Sequence, residues 1–279
     1  MKKADLHIHS TVSDGSLSIA EIIDTASKIG LDVIAITDHD TLSHAEQITG
    51  LLAKKEYENL SLKVLAGLEI SCFDNEENYR VHVLGYDIKK PEIVENFVHP
   101  LLLARHENSM KQIQILNESG FRINPEKIKK ADGKYIYKQH IMDYLVSIGQ
   151  AEALFGKFYH STFKNGGICH FDIQYLDPYK AVEVIKEAGG KAVLAHSGQQ
   201  QNFCLISKLV ERGLDGLELN HHANTGEDKE IIKEYADRYH LFLTGGSDFH
   251  GRYEANSPSI GDYLAEESGV DAIVNGCFI

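Results

Sequence analysis

The chain has 279 residues, 43% hydrophobic and 25% charged, which is enough to bury the core of one large α/β domain or of a barrel with an insertion. Its 41 acidic against 28 basic side chains leave a formal charge of -13, which opposes an extended nucleic-acid groove but not a small phosphorylated molecule held by local cations. The four cysteines (Cys72, Cys169, Cys204, Cys277) are scattered with no CxxC pair, which excludes a thiolate zinc site and fits reduced, mostly buried thiols. The chain shows no signal-peptide pattern and no apolar run near the ~20 residues of a membrane span, so a soluble, cytoplasmic protein without a membrane partner is expected.

Taken in order, ADLHIH is the first predicted strand. The helix after it starts at a capping box, Ser18-Ile19-Ala20-Glu21, and stops at Gly30. DVIAITDHD is the second strand, followed by a helix with a second capping box, Ser43-His44-Ala45-Glu46. LKVLAGLEIS and RVHVLGYDI are the next two. From about Glu92 to Gly167 the pattern is helical throughout, and Asn165-Gly166-Gly167 marks its end. PYKAVEVIKEAGG then precedes the strand KAVLAHS, LDGLELN follows, and EDKEIIKEYADRYH precedes LFLTGGSDFH. Several strands are apolar on both faces, as parallel strands covered by helices must be. The alternation predicts an α/β protein, either a parallel barrel or a doubly wound sheet. Residues 1–91 and 168–279 would form this catalytic unit, and 92–167 a helical insertion capping its mouth.

The chemistry-bearing side chains recur at strand ends. His7 and His9, two apart on a strand, project to one face. Asp14 follows in the loop STVSDGS. His39 comes after VIAIT, Glu69 ends LKVLAGLE, His82 stands in RVHVLGY, His196 ends KAVLAH, and Asp248 with His250 follows LFLTGGS. One such residue means little, since a lone His is more often a satisfied structural group. Nine of them, most at the carboxyl ends of separate strands and His7, His9 and His82 within theirs, would converge on a single mouth and imply a metal site. Imidazole and carboxylate without thiolate suit Mn, Fe or Zn, and nine ligands exceed what one tetrahedral ion uses, so two or three divalent ions are expected. Glu69, with two oxygens, is the expected shared ligand. Closely spaced ions activate a bridging water and clamp phosphoryl oxygens during in-line displacement, which points to phosphate ester hydrolysis.

The motifs DLHIHSTVSDGS, AITDHDT, GLEIS, VHVLGY, AVLAHS and GSDFHG resemble the polymerase and histidinol phosphatase (PHP) superfamily over nearly the whole chain. The resemblance implies a distorted (β/α)7 TIM-like barrel with a trinuclear site. It would place His7, His9, Glu69 and Asp248 on one ion, Asp14, His39 and His250 on a second, and Glu69, His82 and His196 on a third. The arrangement also resembles stand-alone phosphoesterases of that superfamily which act on nucleoside 3',5'-bisphosphates or AMP. In that branch an Arg-x-His pair in the insertion contacts substrate phosphate. This chain has Lys138-Gln139-His140, which keeps the charge and loses the planar fork. The family's AHP is here Ala195-His196-Ser197, and Asn224 stands where a His is frequent.

Expected substrate contacts are therefore Lys138, His140, Arg105 as a phosphate anchor, and His221 as a contact or proton donor. The plain alternatives are a surface salt bridge for Arg105 and a solvated pair for His221 and His222. His44, His99, His106, His160, His170 and His240 receive no role, and Lys129-Lys130 reads as a solvated face. The favoured activity is hydrolysis of a phosphomonoester on a small nucleotide. The competing readings are an exonuclease on short oligoribonucleotides, a histidinol-phosphate phosphatase, and a metal-stabilised binding module without turnover.

Overall fold

Short apolar runs become strands and amphipathic stretches become helices in the computed structural model, which describes residues 2–128, 135–171, 173–254 and 257–274. Lys129-Lys130 and Cys277 lie outside the described residues. The strands are β1 (Ala4–Ile8), β2 (Val33–Ile36), β3 (Lys63–Ala66), β4 (Leu68–Asp74), β5 (Tyr79–Tyr86), β6 (Lys191–Leu194), β7 (Gly216–Asn220) and β8 (Phe242–Gly245). The helices are α1 (Ile19–Lys28), α2 (His44–Leu52), α3 (Pro91–Glu118), α4 (Lys138–Ser147), α5 (Lys157–Phe163), α6 (Pro178–Glu187), α7 (Ser197–Gln200), α8 (Ile206–Val210), α9 (Gly226–Tyr239) and α10 (Glu267–Val274).

The strands form two sheets, ordered β1-β2-β3 and β4-β5-β6-β7-β8. Their margins are joined. Beyond β2, the Asp40 N–H donates to Glu69 O (2.9 Å), and the Glu69 N–H to Asp38 O (3.2 Å). Beyond β8, the Asp248 N–H donates to His7 O (2.8 Å), and the His9 N–H to Phe249 O (3.0 Å). The residues that follow β2 and β8 are thereby locked against β4 and β1, and those are the residues that carry the site.

Two expectations about the sheet are corrected. LKVLAGLEIS is two strands, interrupted at Gly67, where a Cβ would lie 2.8 Å from Gly85 O. The strands are also not all parallel: β5 runs antiparallel to both β4 and β6, whereas β1-β2, β2-β3, β6-β7 and β7-β8 are parallel. The cause is the connection. Residues 75–78 form a tight turn with Asn78 at φ 61°, and so short a link permits only a hairpin. The strands are also shorter than the apolar runs suggest; after Ile36 and Gly245 the chain leaves the ladder and turns toward the site.

The helices cover these sheets with their apolar faces. Ile19, Ile22, Ile23 and Ala26 of α1 pack with Ile34, Ile36 and Val64. Ala181, Val182, Val184 and Ile185 of α6 pack with Ile70, Val81 and Leu194. Val270, Ile273 and Val274 of α10 join Ala4, Leu6, Val33 and Leu84. A separate apolar cluster, including Ile113, Leu116, Ile141, Leu145 and Phe163, unites the second half of α3 with α4 and α5. No strand occurs among the described residues of 92–167. The Ser18 capping box forms as expected, with the Glu21 N–H donating to Ser18 Oγ and the Ser18 N–H to Glu21 Oε2. Ser43 makes no cap; its hydroxyl pairs with Thr41 instead (3.0 Å).

Gly246 is the tightest point between β8 and β1. A Cβ there would stand 2.3 Å from His7 Cβ and 2.4 Å from His7 N. Gly246→Ala should therefore destabilise the protein by about 1–3 kcal/mol through forced displacement of His7. Thermal denaturation tests this, and an unchanged Tm would show that the loop simply moves aside.

Candidate metal centre

All nine side chains singled out at strand ends meet in one place, although the chain between His7 and His250 is nearly the whole protein. Asp5, Asp38 and Glu218 are the buried carboxylates that make this possible from outside the set. Asp38 accepts from Ser10 N (2.8 Å), Ser10 Oγ (2.7 Å), Ser13 N (3.3 Å) and Ser13 Oγ (2.6 Å), which fixes the loop that delivers Asp14. Asp5 accepts from Ser247 N (2.9 Å) and Gly261 N (2.8 Å), which holds the segment carrying Asp248. Glu218 accepts from His7 Nδ1 (3.0 Å) and from the His196 N–H (2.9 Å). His7 is thus held with Nε2 toward the other donors.

The donor atoms fall into groups. In the first, His7 Nε2 and His9 Nε2 are 3.2 Å apart and lie 3.4 Å and 3.2 Å from Glu69 Oε2. The same two nitrogens lie 3.3 Å and 3.1 Å from Asp248 Oδ1. Ligand bonds of about 2.0–2.1 Å in a tetrahedron put neighbouring donors about 3.3 Å apart, so these spacings fit one ion. A second group gathers His9, Asp14, His39 and His250, with donor atoms within 4.8 Å of one another. A third holds His39, Glu69 and His82. His196 Nε2 is 2.9 Å from Glu69 Oε1, and His82 Nδ1 is 2.7 Å from the same oxygen. Glu69 therefore faces the first group with Oε2 and His82 and His196 with Oε1. Buried atoms without a hydrogen-bond partner among the described residues sit here too: His9 Nδ1, Asp14 Oδ1, His196 Nδ1 and Asp248 Oδ1. Orphaned donors and acceptors at this density call for cations.

The backbone is strained at the site. Asp40 (φ 58°), His196 (φ 26°) and Asp248 (φ 52°) adopt left-handed conformations that only glycine takes easily. The electrostatics are equally organised. Burial would raise Glu69, but His82, His39 and His7 override it and hold the carboxylate well below its usual range. Burial is likewise overridden for Asp248 by His7 and His250, and for Asp14 by His39 and His250; both lie well below the carboxylate range. Burial pulls against His250 as well, yet Asp14 and Asp248 push it up to about 10, whereas burial takes His39 down to about 4.

The expected substrate contacts are distributed differently. Arg105 does not make a surface salt bridge. Its guanidinium donates to Asp40 Oδ2 (2.8 Å) and Ser71 Oγ (3.1 Å), and Ser71 Oγ also lies 3.3 Å from His39 Nδ1. His221 is no solvated loop residue either, being fully buried. The Ala223 N–H donates to its Nδ1 (3.1 Å), so Nε2 carries the proton and donates to Asp248 Oδ2 (3.2 Å). His140 is buried, with Nδ1 accepting from the Tyr137 N–H (3.2 Å) and its ring edge-on to Tyr137 and Tyr253. Its neighbour Gln139, which sequence reasoning passed over, donates to Asp14 Oδ2 (3.1 Å), and the Tyr137 hydroxyl to His39 O (3.2 Å). Beside Asp14 a polar pocket of about 200 Å³ opens, lined by Arg80, Arg105, Lys138, Gln139 and Lys164 among others.

Glu218, like Asp5 and Asp38, is a supporting carboxylate absent from the sequence expectations. The available signal was a carboxylate in the middle of the apolar strand LDGLELN, which burial tolerates only with a partner. Glu218→Gln should weaken Mn²⁺ binding about 10–100-fold, as loss of an orienting carboxylate behind a ligand histidine does. Calorimetric titration tests this, and wild-type affinity would show that packing alone orients His7. His7, held well above its usual range, and His250 carry protons that an ion must displace. Metal uptake should therefore release protons, and affinity should rise with pH. Titrations in buffers of different ionisation enthalpy measure this, and an enthalpy independent of buffer would contradict it.

The PHP domain family model matches residues 5–252. The chain is 40% identical over 253 residues to the phosphoribosyl 1,2-cyclic phosphate 1,2-diphosphodiesterase of Eggerthella lenta, covering 89% of this chain and 94% of that one. It is 27% identical over 265 residues to the 3',5'-nucleoside bisphosphate phosphatase of Chromobacterium violaceum, covering 90% and 88%. A crystal structure from Bifidobacterium adolescentis, assigned to the metal-dependent phosphoesterases, superposes with a TM-score of 0.85 at 28% identity, covering 99% of this chain and 96% of that one.

Proposed function

The chain belongs to the PHP domain family, and from that premise we propose that it hydrolyses phosphate esters on a small ribose carrying two phosphate groups. The activity class is that of a metal-dependent phosphoric ester hydrolase. The observation that carries the reading is the meeting of six imidazoles and three carboxylates beside a polar, cation-lined pocket. Phosphoribosyl 1,2-cyclic phosphate and a nucleoside 3',5'-bisphosphate differ in ester type, but each is a ribose with phosphates at two positions. The higher identity of the Eggerthella lenta relative supports the cyclic ester as the first candidate. The nucleoside bisphosphate favoured by the sequence motifs is the second. We read the two joined sheets as the distorted (β/α)7 barrel, and residues 92–167 as an insertion that closes over its mouth. The bonds from Arg105, Tyr137 and Gln139 to Asp40, His39 and Asp14 support that reading.

In this mechanism His7, His9, Glu69 and Asp248 would hold one divalent ion (Mn, Fe or Zn), Asp14, His39 and His250 would hold a second, and Glu69, His82 and His196 a third. Such ions supply Lewis acidity and an activated water to phosphoryl transfer. The chain does the rest. Glu218 and His221 orient His7 and Asp248. Asp38 and Gln139 hold Asp14, and the ion pair of Arg105 with Asp40 braces the loop of His39. Lys138, at the start of α4, lines the pocket and contributes a point charge toward substrate phosphate. His140 supports Tyr137 from below. A leaving-group proton has no dedicated donor in His221 while that ring remains bonded to Asp248.

His9→Ala and Glu69→Ala should each remove bound metal and abolish turnover, read by elemental analysis beside p-nitrophenyl phosphate hydrolysis. Full activity in either variant defeats the assignment. A panel of phosphoribosyl 1,2-cyclic phosphate, adenosine 3',5'-bisphosphate, AMP, histidinol phosphate and a labelled oligoribonucleotide separates the remaining readings. The two ribose compounds with two phosphates should lead histidinol phosphate by about 10-fold or more in kcat/KM, the scale of one charge-assisted contact. Equal rates across the panel would sink the substrate class.

A further inference from the structure

We infer that Arg80 is a specificity-determining residue, holding the phosphate that is not being hydrolysed. The inference deepens the proposed function and rests on its substrate class, a ribose with two phosphates.

In the antiparallel pair β4-β5, Ser71 faces His82, and Phe73 faces Arg80. Side chains two apart on a strand share a face, so Arg80 projects to the same side as His82, one step outward at roughly 7 Å along the strand. That face carries Glu69, the carboxylate on which the donor groups converge. Arg80 therefore stands on the rim of the candidate metal centre, on the side of His82, which is the most exposed of the expected ligands with 24% of its side chain open.

The second observation is where the cavities meet. Arg80 lines the pocket that contains Asp14, Arg105 and Lys138. It also lines a cavity with Phe73, Asn75 and Tyr175, and another with His82, Gln199 and Gln200. A group seated near His82 and one seated near Lys138 thus border on the same residue, Arg80.

The third observation is charge. Arg105 lines the same pocket but is engaged by Asp40 and Ser71. Among the described residues, the Arg80 guanidinium has no ion pair or hydrogen bond, in a chain with 41 acidic and 28 basic side chains. Its backbone is engaged, with Arg80 O accepting from Asn202 Nδ2 (3.0 Å), which fixes the strand and leaves the side chain unspent. A planar guanidinium in that position matches a phosphate dianion by two parallel N–H···O bonds. The second phosphate of a small ribose and the next phosphate of an oligoribonucleotide present the same chemistry, and the substrate arms below distinguish them.

The test uses the full chain loaded with Mn²⁺, as wild type, Arg80→Ala and Arg80→Lys, on matched pairs. One pair is adenosine 3',5'-bisphosphate and AMP. The other is phosphoribosyl 1,2-cyclic phosphate and ribose 1,2-cyclic phosphate. A 5'-phosphorylated diadenylate is the oligonucleotide arm. Wild type should prefer the doubly phosphorylated member of the pair it turns over faster. Arg80→Ala should cut that preference about 10-fold, through KM and not kcat, with partial recovery in Arg80→Lys. A preference confined to the diadenylate would move the contact to an oligonucleotide and overturn the small-ribose form. An unchanged preference in Arg80→Ala overturns the role of Arg80 and leaves the substrate class standing. An equal loss on both members overturns it too, since that marks a structural role. No preference in wild type overturns the inference and the substrate class together.

Discussion

The rest of the structure depends on the cost of burying charge. Three carboxylates and six imidazoles occupy a largely buried volume where facing donor atoms are only 2.7–3.4 Å apart. Carboxylates in such a place are stable only if compensated, and burial alone would push each toward its neutral form. Glu69, Asp14 and Asp248 instead lie well below the usual range, because every one is surrounded by imidazole. The supporting groups follow from that requirement. Glu218 turns His7, His221 bonds Asp248, and four bonds to Asp38 hold the loop that brings Asp14. The strained backbone at His196, Asp40 and Asp248 is maintained by the same network.

Much of this was legible in the sequence. The apolar runs marked the strands, and the placing of His and carboxylate at their ends marked the residues that meet. Those signals are local, and a strand end is a local property. What could not be read is what depends on pairing between distant segments. That β5 runs antiparallel follows from a four-residue link, but the apolar pattern of RVHVLGYDI is the same in either direction. Gly67 looked like one residue of a long strand, but β3 pairs with β2 and β4 with β5, so the break falls where the two sheets part. Ser43 carried the right spacing for a cap and lost it because Thr41 offered its hydroxyl a nearer partner.

The supporting carboxylates were harder still. Asp38 carries no pattern that separates it from surface acids, and Glu218 only its place in an apolar strand; the meaning of both lies in partners 22 to 211 residues away. Arg105 and His221 were weighed as substrate contacts or solvent-exposed groups. His221, fully buried, bonds Asp248, and Arg105, partly buried, bonds Asp40. A cation near phosphate chemistry invites the direct reading, but geometry decides whether its charge is already engaged.

The bonds that tie the segment after β8 to β1 have a consequence for how the protein comes into being. His7 and Asp248 meet only when opposite ends of the sequence have found each other. A chain still emerging from the ribosome can form its early helices and hairpin, but it has no means of assembling the first group of donors. That group is therefore completed only when the last strand docks. Contacts of such long range also make that docking slow relative to local structure, because loop closure must precede any reward. A copy that stops before β8 lacks Asp248 and cannot complete that group.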